Sequence, residues 1–318
     1  MIEKTKKLGN KQRAGGQERR DPVTAWNLRN AFVLAGALAL LVLVAFAVVV
    51  IVSARSGGGD GAYVGGDLHA LAVDPTNPDR VMVGGHEGAA ISPDGGESWR
   101  QIADLSGADP MGWVINPTEP QRMYAGGHPG FFRSEDGGKS WSMDNSGLPG
   151  TDVHGLGMDP QNPDTLYAFI DGGGIYRSPD TGGSWELVNA EEAVMGSILV
   201  DPREPETLYL AGMEGEFKRS ADGGETWERI GTIPGGMAMS VSQDSQNPDT
   251  FYAASGGQVY KSADGGRSWQ LLGEDLSGVS AIAVSPSDPR TVYAGVLDGE
   301  EARVFRSEDG GQSWQPRD

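Results

Sequence analysis

SPDGGESW at 92–99 is the first of six near-identical boxes in this 318-residue chain. The others are SEDGGKSW at 134–141, SPDTGGSW at 178–185, SADGGETW at 220–227, SADGGRSW at 262–269 and SEDGGQSW at 307–314, with starts 42, 44, 42, 42 and 45 residues apart. Each box closes a longer unit: an apolar run, a turn that reads Asp-Pro-x-x-Pro in the first, third and fourth units, a second apolar run, a Gly-rich turn and a third run. GMDPQNPDTLYAFIDGGGIYRS at 157–178 is an example. Four short β-rich runs separated by Pro, Gly, Asn and Asp clusters, repeating every 40–50 residues or so, describe one blade of a β-propeller. The fold class is therefore all-β, a six-bladed propeller of four-stranded blades over residues 67–318.

Composition agrees with that reading. The 49 Gly and 19 Pro suit a chain of many tight turns, and no Gly-X-Y period points to collagen. With no Cys, the chain has no disulfide framework, thiolate metal site or cysteine nucleophile. The net charge of −19 argues against a nucleic-acid partner. That charge is unevenly placed, because residues 1–30 hold Lys4, Lys6, Lys7, Lys11, Arg13, Arg19, Arg20 and Arg29 against three acids.

Next comes AFVLAGALALLVLVAFAVVVIV at 31–52, 22 uncharged residues. As a helix this run is long enough to cross a bilayer. The expected organisation is a basic cytoplasmic N-terminus (1–30), a single transmembrane helix (31–52), a Gly-rich linker (53–66) and an extracytoplasmic, monomeric propeller (67–318). The basic flank sets the orientation. A signal peptide cut near Val52-Ser53-Ala54 is the competing reading, although the run exceeds the 7–15 residues or so of a signal h-region.

The Ser-x-Asp-x-Gly-x-x-Trp boxes resemble those of the Asp-box, or bacterial neuraminidase repeat, propellers. That group includes sialidases, tandem-propeller xyloglucanases, sortilin-type receptors and photosystem II assembly-factor propellers. The resemblance covers the whole propeller and implies a fold much more than an activity. In it the boxes and the Asp-Pro turns lie on one face. The ligand face is the other, formed by the loops leading into strand 1 and those joining strands 2 and 3.

The box is expected to be structural. Asp94, Asp136, Asp180, Asp222, Asp264 and Asp309 accept hydrogen bonds from their own turns, the Gly pair supplies positive φ, and Trp99, Trp141, Trp185, Trp227, Trp269 and Trp314 bury their rings between blades. Seven of the eight Tyr also fall on repeated strand positions, with Tyr63 alone off-register.

Removing the repeat leaves a cluster assigned to the ligand face. Counting back from the strand-1 turn, Asp67, Asp109 and Asp152 are equivalent, as are His69, Met111 and His154. His86 and His128 are equivalent in GGHEG and GGHPG, and Trp113 lies nearby. Two readings stand: polar residues lining the channel, or a divalent-metal site drawing on His69, His154, Asp67 and Asp152, with Asp109 and one of His86 and His128 as further members, since imidazole and carboxylate suit a first-row ion. No other cofactor is expected. Met111 and Met237 would add soft ligands for copper.

On function, the expectation is a binding or assembly module for a protein, peptide or glycan ligand. The alternative is a glycoside hydrolase. FIDGGGIYRS at 169–178 is similar to a xyloglucanase turn in which Asp171 would match a catalytic Asp. Asp152, Glu214 or Asp298 would then supply the second acid, about 5–10 Å away. A sialidase-like reading is weaker, because the Arg-Ile-Pro string of that family is absent and most propeller arginines map away from the ligand face, as Arg133, Arg177, Arg219 and Arg306 do just before a box, with Arg303 the clear exception.

Overall fold

The computed structural model describes residues 61–317 except Met195. Residues 1–30, the apolar run 31–52 and linker residues 53–60 lie outside the described residues. Among those described, no helix is long and apolar enough to cross a membrane. The helical element that interrupts the strands is a three-residue 3₁₀ turn, Ala103–Leu105.

The strands form six sheets, one per sequence repeat. Blade 1 runs outward as Leu68–Val73, Val81–Gly85, Gly88–Ser92 and Arg100–Gln101. The innermost strands of blades 2 to 6 are Asp109–Ile115, Val153–Met158, Leu199–Val200, Ala238–Gln243 and Val279–Val284. They lie side by side around a central channel, with that of blade 6 against that of blade 1. Blade 4 departs from the regular pattern: its innermost strand is short, and the preceding Gly196–Ser197 pairs in parallel with Gly155–Leu156 of blade 3.

Both ends of the propeller complete blade 6. The C-terminal strand Gln315–Arg317 covers only Val304–Arg306 of the seven-residue strand Glu301–Ser307, and Ala62–Tyr63 pairs with Glu301 and Ala302 at its other end. The linker expected over 53–66 is therefore shorter at its C-terminal end, because the uncovered edge of blade 6 offers backbone partners to Ala62 and Tyr63. Ion pairs reinforce the closure onto blade 1, with Arg306 2.9 Å from Asp79 and Arg317 2.5 Å from Glu97.

The core is six clusters, one at each blade interface. Strand alternation sends successive side chains to opposite faces of a blade, so each blade feeds two interfaces. The second-strand Tyr residues Tyr124, Tyr167, Tyr209, Tyr252 and Tyr293 pack toward the following blade, and the box Trp residues pack toward the preceding one. Trp185 of blade 3 meets Phe131 of blade 2 edge-on at 5.8 Å, and Trp269 of blade 5 meets Phe217 of blade 4 at 5.3 Å.

Each box is a closed hydrogen-bond unit. In blade 4, the buried Ser220 hydroxyl donates to Asp222 Oδ1 (2.7 Å) and accepts from the Gly224 N–H (2.9 Å). Asp222 in turn accepts from the Thr226 N–H (2.9 Å) and hydroxyl (2.5 Å). The Gly223 N–H donates to the Glu206 carbonyl at 2.8 Å, fastening the box to the strand 1–2 turn of its own blade. All six boxes repeat that last bond, which puts boxes and Asp-Pro turns on one face. The expected positive φ holds at Gly95 (74°) and Gly96 (97°), whereas blade 3 places Thr181 (60°) at the first of these positions.

Two outcomes follow from this geometry. Ser220→Ala strands the Gly224 donor in a buried site and is expected to lower unfolding stability by roughly 1–3 kcal/mol in urea titration. The hydroxyls and N–H groups of Thr226, Ser268 and Ser313 hold the carboxyls of Asp222, Asp264 and Asp309 down at about 2. Because the folded values lie below the unfolded one near about 3.9, this contribution is complete above pH ~4 and lost as pH falls toward 2. The melting temperature should drop across that window, and the triple Asp→Asn variant at these positions should flatten the drop.

Candidate functional site

Two sets of loops build the face opposite the boxes. Asp67 and Asp152 directly precede their innermost strands and Asp109 begins its own, while His128 ends its second strand and His86 and Asp171 follow theirs. These positions interlock. The His86 N–H donates to the Asp67 carbonyl at 3.2 Å, the Asp171 N–H donates to the Asp152 carbonyl at 2.9 Å, and Asp109 and His128 are register partners. The Gly before each turn His permits the approach: a Cβ on Gly85 or Gly127 would stand 1.9 Å from the carbonyl oxygen of Asp67 or Asp109.

A second device orients His69 and His154. In blades 1 to 3 the register between first and second strands slips by one residue, leaving His69, Met111 and His154 unpaired at the slip. A bulge of this kind re-aims its side chain out of the regular alternation. Met111 uses that position to pack, and is buried.

The four His of the chain thereby join two carboxylates across three blades. Asp109 Oδ1 lies 3.5 Å from His69 Nε2, and its Oδ2 lies 3.2 Å from His86 Nδ1 and 3.4 Å from His128 Nδ1. Asp152 Oδ1 lies 2.5 Å from His128 Nε2 and 2.6 Å from His154 Nε2. Each turn His thus reaches the leading Asp of the next blade. Asp109 is only 5% exposed, and its ionic partners are the three imidazoles. Burial pushes the His69 imidazole below its ordinary range, with the Asp109 carboxylate pulling the other way.

The metal-ligand set expected from sequence divides in two. Asp67 and His69 converge with His86, whereas His154 and Asp152 converge with His128, the ligand atoms of each group lying within 4.8 Å of one another. Trp113 is not joined to either group; its ring meets Trp141 edge-on at 5.4 Å and it lines the far half of the channel. That half is a cavity of about 290 Å³ walled by innermost-strand residues such as Leu71, Ile115 and Val284.

The candidate acids are spread around the rim. Asp171 is exposed beside Asp152, Glu214 is exposed in blade 4, and Asp298 pairs with Arg303 at 3.0 Å. Sequence reasoning missed one contact, a 2.5 Å hydrogen bond from the Tyr63 hydroxyl to Glu87 Oε2 beside His86. That bond pushes the Tyr63 phenol above its ordinary range. Its position outside the repeat was the available signal.

No family model and no curated protein sequence matches the chain. Solved structures similar to it are propellers. The GH74 xyloglucanase of Xanthomonas campestris aligns with a TM-score of 0.55 and 17% identity, over 80% of this chain and 46% of that one. A nidogen/laminin complex aligns at 0.61 and 10% identity over 74% and 91%. The gluconolactonase XC5397 of X. campestris aligns at 0.59 and 13% over 78% and 87%. The chain spans less than half the length of that xyloglucanase. Hydrolases and a protein-binding assembly are both among these neighbours, so the likeness establishes the propeller fold.

The electrostatics of Asp109 give a measurable outcome. His69 should titrate below the ordinary imidazole value in NMR pH titration. Asp109→Asn, which removes the carboxylate that favours the imidazolium, should move it further down.

Proposed function

We propose that this chain is a membrane-tethered, extracytoplasmic propeller of the Asp-box type that binds a protein, peptide or glycan ligand at the channel mouth of blades 1 to 3. The observation that carries the reading is the convergence of all four His with Asp109 and Asp152 on the face free of box turns. The box carboxylates are bonded within their own turns, whereas Asp152 and the turn histidines of the opposite face keep ring and carboxylate atoms open toward the channel mouth. The basic 1–30 segment and the apolar 31–52 run support the tether and its orientation.

One contact favours a second reading, glycoside hydrolysis. The Asp171 N–H donates to the Asp152 carbonyl, which sets two acids on adjoining loops of blade 3.

The test uses the full-length chain in detergent, screened on peptide and glycan arrays and assayed for release of reducing ends from xyloglucan oligosaccharides. Binding that His86→Ala/Asp67→Ala abolishes and Ser220→Ala retains is the expected result. Hydrolysis lost in Asp171→Ala would replace the binding module with an enzyme. A reporter fused after Asp318 should be active only outside the cytoplasm, with the protein retained in membranes.

A further inference from the structure

Asp109 poses an electrostatic problem that the propeller itself does not solve. Its carboxylate is almost fully buried, and no Lys or Arg pairs with it among the described residues. Burying a carboxylate without a compensating cation is costly. The neighbouring groups are imidazoles, which are neutral unless protonated. A second anomaly lies one residue pair away. Asp152 Oδ1 and His154 Nε2 are buried and 2.6 Å apart, yet neither makes a hydrogen bond, and His128 Nε2 stands 2.5 Å from the same oxygen without bonding geometry. Three donor atoms converge there, and their directions do not point at one another.

We propose that His128 Nε2, His154 Nε2 and Asp152 Oδ1 ligate a first-row divalent cation of the zinc type. Two imidazole nitrogens and one carboxylate oxygen are a donor set that such an ion takes readily, with a remaining position for solvent or for a Lewis-basic group of a bound ligand. The ring of His128 carries the argument to Asp109. Its Nδ1 lies 3.4 Å from Asp109 Oδ2, so an Nδ1–H donated to that carboxylate fixes the tautomer in which Nε2 is free to ligate. Asp109 is then a positioning residue, and the positive charge it lacks is supplied through the imidazole.

The neighbouring group, Asp67, His69 and His86, is a poorer site. His86 Nδ1 and His69 Nε2 already face Asp109, and Asp67 and His86 are exposed. The inference therefore concerns one site, shared by blades 2 and 3, and it does not rest on the ligand-binding reading.

The experiment is zinc titration calorimetry on the full-length chain after chelator treatment, with elemental analysis and zinc-edge absorption spectroscopy of the loaded protein. One equivalent should bind with a first shell containing two imidazole nitrogens. His128→Ala/His154→Ala should abolish that binding while the far-ultraviolet spectrum is unchanged, and His69→Ala/His86→Ala should retain it. Asp109→Asn should weaken it by roughly 10–100-fold, as loss of an outer-shell partner does. Absence of stoichiometric binding, equal weak binding in all four proteins, or loss confined to the His69/His86 variant would overturn the site. Should Asp109→Asn fail to fold, the two double-His variants and the spectroscopic shell still decide the question.

Discussion

Each blade has two apolar faces, and neither can be buried within the blade itself. The second-strand Tyr goes forward and the box Trp goes back, so every interface from blade 2/3 round to blade 6/1 takes a Tyr from one neighbour and a Trp from the next. Where blade 1 presents Met82 in place of Tyr, Trp113 of blade 2 packs with Trp141 to fill the interface. The Tyr rings are buried and the box Trp rings partly so, Trp141 being the buried one; fully burying a large apolar side chain contributes roughly 1.5–3 kcal/mol. A ring in which six such interfaces are satisfied leaves no blade face exposed, whereas an open array would leave two. The shared outer edge of blade 6 and the Arg306 and Arg317 ion pairs serve that closure.

The two ends of the channel differ because they handle backbone polar groups differently. On the box face, Ser and Asp side chains satisfy the turn donors within a few residues, and the Asp-Pro turns do the same through Asp74, Asp159, Asp201 and Asp244. Most of those carboxylates are consumed by local bonds. On the opposite face the loops are held by backbone pairing and by Gly85 and Gly127, which let main chains approach to distances that a Cβ would forbid. Some side chains there still hold loops, as Asn145 does for Pro129 and Phe131, while the bulges at His69 and His154 turn two others out of the strand alternation.

The asymmetry around the ring has a simple origin. A turn His crosses to the leading Asp of the next blade, so a contact needs both partners in consecutive repeats. Blades 1 and 2 supply His86 and His128, and blades 2 and 3 supply Asp109 and Asp152. Blade 3 carries Asp171 at the turn position, and the register slips of blades 5 and 6 carry Met239 and Ser280. The six-fold scaffold thus displays one polar cluster over three blades.

The number of blades, their boundaries and the structural role of the boxes were legible in the sequence, because they depend on a short pattern repeated at constant spacing and satisfied locally. The equivalence of Asp67, Asp109 and Asp152, and of His86 and His128, was legible for the same reason. Which His meets which Asp was not, and the expected grouping of His69 with His154 gave way to His69 with His86 and His128 with His154. The pairing crosses from one blade to the next, and its direction is set by the offset between adjacent sheets and by a one-residue bulge, neither of which leaves a mark on local spacing. Tyr63 is the same case. Its partner Glu87 lies in another blade, and the two meet because the ring closes and brings Ala62–Tyr63 onto the edge of blade 6.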